Sequence, residues 1–501
     1  MSRALVIGAG LGGISAALRL RAKGFEVTIT DKLDQLGGRA RVFKQDGFTF
    51  DAGPTVITAP FLLAELFELF GKRIENYLEL KDVFPWYRFR FSDGSIFDYG
   101  GSVEQTLEEI RKLSPPDVEG YRKLLKESER IFEIGFLKLS DQPFHQIGSL
   151  IKEIPHMLRL GAHRSVYQLV SKYLRDDRLR RAFSIQPLLV GGNPFDTTCI
   201  YSLIHYLERK WGVSYVMGGT GALVAALKKL MHEEGIEVYL NDEVVKFEGA
   251  KRLTRAVFKS GKTFEADLFV CNADPAFVYS QLVPQGFNKK WSSRRLNRLD
   301  YSMGLVVLYF GTRRQYPEVK HHTIVMGESY KELLESIFKK KRLSEDDMSL
   351  YLHRPTATDS SMAPEACDCF YVLSPVPNLL GDTDWREKAE QYKASIYERL
   401  EKDLMPELRK NIVTEKMLTP LEFQRDYNAP WGTGFSIAPR FSQSAYFRFH
   451  NKSEDFENLF FVGAGTHPGA GIPGVLSSSK VLDRLIESPW GQASSRRSML
   501  L

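Results

Sequence analysis

Residues 3–13 read Arg3-Ala4-Leu5-Val6-Ile7-Gly8-Ala9-Gly10-Leu11-Gly12-Gly13. The apolar run Ala4 to Ile7 predicts a buried parallel strand, and Gly8, Gly10 and Gly13 follow in the spacing Gly-x-Gly-x-x-Gly. Gly8 permits a tight turn, Gly10 lets backbone approach a pyrophosphate, and Gly13 lets a helix pack close on the strand. That helix then presents free N–H groups and the positive end of its dipole to phosphate. A second strand, Glu26-Val27-Thr28-Ile29-Thr30, ends at Asp31. Asp31 stands about 20 residues past the glycines, where a carboxylate accepts from ribose hydroxyls. Together these features predict a βαβ unit that holds a dinucleotide.

Working outward, Gly37-Gly38-Arg39-Ala40 places a second glycine pair and a fixed positive charge just after the ribose acid. A hairpin turn at Gly37-Gly38 is the plainer reading of the glycines alone. Next comes Phe50-Asp51-Ala52-Gly53-Pro54-Thr55. A helix is expected over residues 61–70, with Pro60 at its start and Gly71 beyond its end. Strands follow on either side of Ser92-Asp93-Gly94-Ser95. Residues 102–181 read as helical and basic. Lys152, Arg159 and Arg164 there interleave with Ile147, Leu150, Ile151, Ile154 and Met157, a pattern shared by membrane-surface helices and by solvated faces of packed helices. Residues 266–273 read as another buried strand. Residues 458–475 read as a strand and a glycine-rich loop that lead into a final helix.

The 501 residues exceed what one core usually organises. With 68 Lys and Arg against 62 Asp and Glu, the formal net charge of +6 is too mild for a nucleic-acid partner. Four cysteines make no disulfide framework, and Cys367-x-Cys369 lacks the second pair of a metal site, so no metal is expected. No run of about 18 apolar residues is present to span a bilayer. The expected location is cytoplasmic, at the periphery of the membrane's cytoplasmic face.

These motifs, with Leu189-Val190-Gly191-Gly192-Asn193-Pro194-Phe195, Gly218-Gly219-Thr220-Gly221 and Gly463-Ala464-Gly465-Thr466-His467-Pro468-Gly469-Ala470-Gly471-Ile472-Pro473-Gly474-Val475, resemble the bacterial-type phytoene desaturases. The resemblance runs from about residue 3 to about residue 487. It implies an α/β fold: a Rossmann-like FAD-binding domain, an inserted α+β substrate domain, and a helical subdomain that contacts the membrane. The implied FAD-binding domain is discontinuous, from residues 1–75, 215–280 and 455–487. Residues 76–110 and 281–454 would form the substrate domain, 111–214 the helical insert and 488–501 a disordered tail.

By the family pattern Gly8, Gly10, Gly13, Asp31, Gly38, Arg39, Gly53, Pro54, Thr55 and Val244 would hold FAD. Gly465, Thr466, Ile472, Pro473, Gly474 and Val475 would line its ribityl chain and ring. The implied partner is a hydrophobic carotenoid, dehydrogenated in successive steps by hydride loss to the flavin, to neurosporene or lycopene. His467 is a candidate base, and equally a residue that shapes its loop. Open alternatives are a carotenoid isomerase or saturase, a desaturase of C30 or hydroxylated carotenoids, and a prenyl-lipid carrier without redox chemistry. Oligomeric state is not legible.

Overall fold

The computed structural model describes residues 2–145, 148, 160–284 and 286–488. The basic-apolar stretch from Ile147 to Arg159, Gly148 apart, and all but Ser488 of the expected tail lie outside the described residues.

The opening stretch forms the strand Arg3–Ile7, the middle of a five-stranded parallel sheet. The order across it is Leu459–Phe461, Leu268–Cys271, Arg3–Ile7, Glu26–Thr30 and Glu237–Tyr239. Four of these strands are buried for most of their length because both faces are covered. On one face lie helices Leu11–Ala22, Pro60–Glu68, Gly219–Glu233 and Ile472–Leu485, packed around Val6, Ile29 and Val270. On the other, Leu5 and Phe269 meet an antiparallel three-stranded sheet of Val244–Gly249, Leu253–Phe258 and Thr263–Glu265. The register pairs Ile7 with both Thr30 and Cys271, and Cys271 with Phe461. The carboxyl ends of these strands therefore share one edge, where open α/β sheets bind ligands.

A seven-stranded sheet carries the second layer system. Its order is Ile412–Leu418, Gly304–Thr312, Asp368–Val376, Leu350–His353, His322–Val325, Tyr87–Arg90 and Ile96–Tyr99. Neighbours are antiparallel except His322–Val325 against Tyr87–Arg90. Gly304–Thr312 shows the two-residue alternation directly: Leu305, Val307 and Tyr309 enter one core, Val306, Leu308 and Phe310 another. Helix Trp385–Asp403 covers the second face.

The helical region contains Val103–Leu113, Val118–Gly135, Val166–Tyr173, Asp177–Phe183 and Leu203–Trp211. Ser102 with Gln105, and Ser165 with Gln168, form capping boxes at two of the starts. The Tyr215 stretch pairs as Ser214–Val216 with Leu80–Asp82 before Gly219–Glu233 begins, so the chain rejoins the parallel sheet only at Glu237. Among the described residues no helix is long and apolar enough to cross a membrane.

Candidate active site

The glycine stretch and the Gly37-Gly38 pair stand back to back. Gly8 has φ of +96°, a left-handed turn directly after the strand. Gly37 N donates to Ala9 O at 2.8 Å, and a Cβ on Gly38 would lie 3.1 Å from Gly10 Cα. A Cβ on Gly13 would lie 2.0 Å from Gly8 O, so this glycine closes helix onto turn and stands behind the wall. The hairpin turn lies further on, at Asp46-Gly47 between Val42–Gln45 and Phe48–Asp51.

Asn272, which sequence reasoning passed over, ties the first and last glycine loops together. Its side-chain oxygen occupies the space a Cβ would need on Gly12 or Gly463, and its Nδ2 lies 2.9 Å from such a Cβ on Gly10. The only sequence signal was its place immediately after the buried strand Leu268–Cys271.

Beside these loops opens a cavity with about 3510 Å³ of space between protein atoms, open solvent at its mouth included. Gly8, Gly10, Asp31, Gly38, Arg39 and Val244 line one end. Asp31 accepts from Ala9 N at 2.7 Å and from Leu33 N at 3.0 Å. Burial nonetheless raises its carboxyl above the ordinary range, those bonds opposing the shift. Each carboxylate oxygen keeps a further lone pair for a sugar hydroxyl.

Arg39 has no salt bridge among the described residues, and its buried Nε has no hydrogen-bond partner. Burial lowers its pKa, and its guanidinium lies 5.5 Å from the centre of the Tyr427 ring. Helices Leu11–Ala22 and Ile472–Leu485 both begin without a side-chain cap. A half-buried cation without a salt bridge among the described residues, two uncapped helix starts and a glycine wall are the donor set a pyrophosphate requires. The residues fit FAD.

Midway along, Gly53, Pro54 and Thr55 line the wall. They rest on tyrosines: Tyr371 donates to Gly53 O at 2.9 Å and meets Thr55 Oγ1 at 3.0 Å, while Tyr309 donates to Ala52 O at 2.7 Å. Asp51 points elsewhere, accepting from Thr220 N at 2.7 Å at the start of Gly219–Glu233. That contact explains Gly219, where a Cβ would lie 2.3 Å from Asp51 Oδ1.

Opposite, Ile472, Pro473, Gly474 and Val475 line the cavity. Gly465 and Thr466 are not among its lining residues. The Cβ position of Gly465 lies 2.3 Å from Pro275, and Thr466 is fully buried with its hydroxyl donating to Gly463 O at 3.1 Å. Both brace the loop from behind, as does buried Arg448, which donates to Ala464 O at 2.6 Å and Thr466 O at 3.0 Å.

The far end is apolar, with Leu160, Leu188, Ile200, Leu207 and Leu305 among its walls. His467 lies on the wall; its Nε2 donates to Leu139 O at 2.9 Å, and its Nδ1 has no partner. Burial pushes its pKa down to about 4, so the imidazole is neutral at neutral pH. Glu208 is also on the wall, fully buried, accepting from Tyr87 Oη at 3.0 Å. Burial pushes its carboxyl up to about 8, so at neutral pH it is mostly the uncharged acid. A carbon-rich ligand therefore meets almost no fixed charge in this half.

Residues 11–480 match the model of the flavin containing amine oxidoreductase family. The chain is 45% identical over 482 residues to a lycopene-forming phytoene desaturase of Pantoea ananas, covering 96% of this chain and 98% of that one. It is 45% identical over 489 residues to a neurosporene-forming phytoene desaturase of Cereibacter sphaeroides, covering 96% and 94%. Among solved structures, a putrescine oxidase variant superposes with a TM-score of 0.63 at 13% identity, covering 97% of each chain.

Proposed function

The chain belongs to the flavin-containing amine oxidoreductases and, among them, to the bacterial phytoene desaturases, and on that footing we propose that it removes hydrogen pairs from phytoene to give neurosporene or lycopene. It is an FAD-dependent oxidoreductase. The observation that carries the substrate reading is the continuity of one cavity, glycine-walled and cationic at one end and apolar at the other.

Gly8, Gly10, Asp31, Gly38, Arg39 and Val244 would hold the adenosine and pyrophosphate end of FAD. Gly53, Pro54, Thr55 and residues 472–475 would flank the remainder. When bound, FAD supplies the hydride acceptor that no amino-acid side chain offers. The apolar walls contributed by Leu160, Leu188, Leu207 and Leu305 strip water from a polyene and hold it extended. His467 is the residue suited to take the proton lost from the neighbouring carbon, because its Nδ1 lone pair is free and its ring uncharged. Uncharged Glu208 keeps an anion out of the same chamber.

Phytoene is a membrane solute, and access from a bilayer is supported at the rim. Phe441 lines the cavity while 44% exposed, and Leu137, beside wall residue Phe136, is 54% exposed. These two side chains would dock the mouth on the lipid surface. With both replaced by Asp, the protein is expected to lose sedimentation with anionic vesicles while keeping its flavin; retained sedimentation removes this docking surface. Products formed from phytoene in liposomes test the reaction itself. Polyenes with fewer hydrogens are expected, and a product of unchanged hydrogen count makes the protein an isomerase instead.

A further inference from the structure

Behind the tyrosine shelf that carries Gly53 and Thr55 lies a group of polar atoms that neither FAD nor a carotenoid uses. His321 and His322 stand at the start of strand His322–Val325, and His353 ends the adjacent strand Leu350–His353. All three are at most 4% exposed. Their rings converge, with centroids 4.6, 4.8 and 5.4 Å apart, and one nitrogen from each lies within 4.8 Å of the others.

Nε2 of His321, Nε2 of His322 and both nitrogens of His353 have no hydrogen-bond partner, and neither has Asp51 Oδ2, 3.4 Å from His353 Nε2. Tyr215 Oη, on a ring 4.7 Å from that of His321, is unpartnered as well. So many unsatisfied buried polar atoms in one place call for a bound partner, an ion or ordered water.

The second nitrogens are engaged. His321 Nδ1 meets Thr358 Oγ1 at 2.6 Å, and His322 Nδ1 meets Tyr351 Oη at 2.7 Å. A proton donated to each hydroxyl leaves Nε2 as a bare lone pair, the arrangement in which imidazoles ligate metals.

We propose that His321, His322 and His353 form a binding site for a divalent first-row transition-metal ion, with zinc the best-suited occupant. Neutral imidazoles favour zinc, copper or nickel over calcium or magnesium, and zinc accepts three of them with one position left over. Asp51, itself fully buried, offsets part of the ion's charge. Zn–N bonds of about 2.0–2.1 Å draw the nitrogens closer than 4.8 Å, a contraction that side-chain rotations supply. The bound ion is structural. Through Tyr351, which meets Thr55 Oγ1 at 3.3 Å, and through Tyr371, whose ring is 5.0 Å from that of His353, it braces the segment on which the cofactor rests.

The test uses the full chain loaded with FAD. After dialysis against a chelator, zinc is added back, and wild type is compared with His353→Gln. Wild type is expected to retain about one zinc per chain and to unfold at a higher temperature with zinc than without. Cobalt in its place gives the visible d–d band of a nitrogen-ligated tetrahedral ion, to the red of the flavin. His353→Gln loses the band and the thermal shift while its flavin spectrum shows that it is folded. A wild type with no bound zinc, no thermal shift and no cobalt band overturns the proposal, whatever the variant does. So does equal zinc binding by wild type and the folded variant.

Discussion

Arg39 is the residue on which the cofactor end turns. Its side chain is half-buried on the cavity wall without a salt bridge among the described residues, a situation that an anionic ligand completes. Arg39→Ala is expected to weaken FAD binding about 10- to 100-fold, as loss of a charge-assisted contact worth about 1.5–3 kcal/mol implies. The same change should cost the FAD-free chain little, because half-buried Arg39 makes no salt bridge among the described residues. Flavin titration of the apoprotein measures the first effect, and an unchanged Kd contradicts it. His467→Ala should bind FAD yet turn over at least about 100-fold more slowly, the usual worth of a positioned base. Near-normal turnover would leave His467 only its bond to Leu139. The glycines and Arg39 were legible in sequence because each acts through its own backbone or charge at a fixed spacing. Asn272 was not, since its role arises where the loops of Gly12 and Gly463, at opposite ends of the chain, converge on one amide. Glu208 carries no motif, and only the packing around Leu203–Trp211 makes it fully buried.

At the scale of elements, the parallel sheet was readable from its apolar runs and from the glycine loops at their carboxyl ends. What periodicity could not show is how the distant segments are fastened. Helices Leu11–Ala22, Pro60–Glu68 and Ile472–Leu485 meet at Glu65, which takes Arg19 at 3.0 Å and Lys480 at 2.9 Å. Arg19 also donates to Ser479 at 3.2 Å, and Ser479 meets Ser15 at 2.5 Å. Arg19 is only 5% exposed, so Glu65→Ala strands a buried cation between the first and last helices. A loss of about 1.5–3 kcal/mol is expected, read as a lower urea midpoint; an unchanged midpoint would show the three helices are held by apolar packing alone. Thr466 teaches the same lesson from the other side. The family pattern implied a cofactor contact there, while the fold spends its hydroxyl on the loop's own carbonyl. The histidine cluster was equally hidden, because His321-His322 and His353 become neighbours only through the pairing of two strands.

Across the whole molecule, the cavity is bounded by segments from both ends of the chain and by the seven-stranded sheet between them. The nucleotide-binding edge, the tyrosine shelf and the apolar chamber each come from a different layer. Their continuity would bring a carotenoid against the flavin, as a desaturase built on a dinucleotide fold requires. Local patterns disclose each layer, but a cavity between layers exists only once they are packed. The direct test is to incubate the FAD-loaded protein with phytoene liposomes and determine the mass and absorption spectrum of the products. Neurosporene or lycopene is expected, each lighter than phytoene by whole hydrogen pairs. Recovery of phytoene unchanged, or of an isomer of identical mass, from protein that holds its flavin would contradict it.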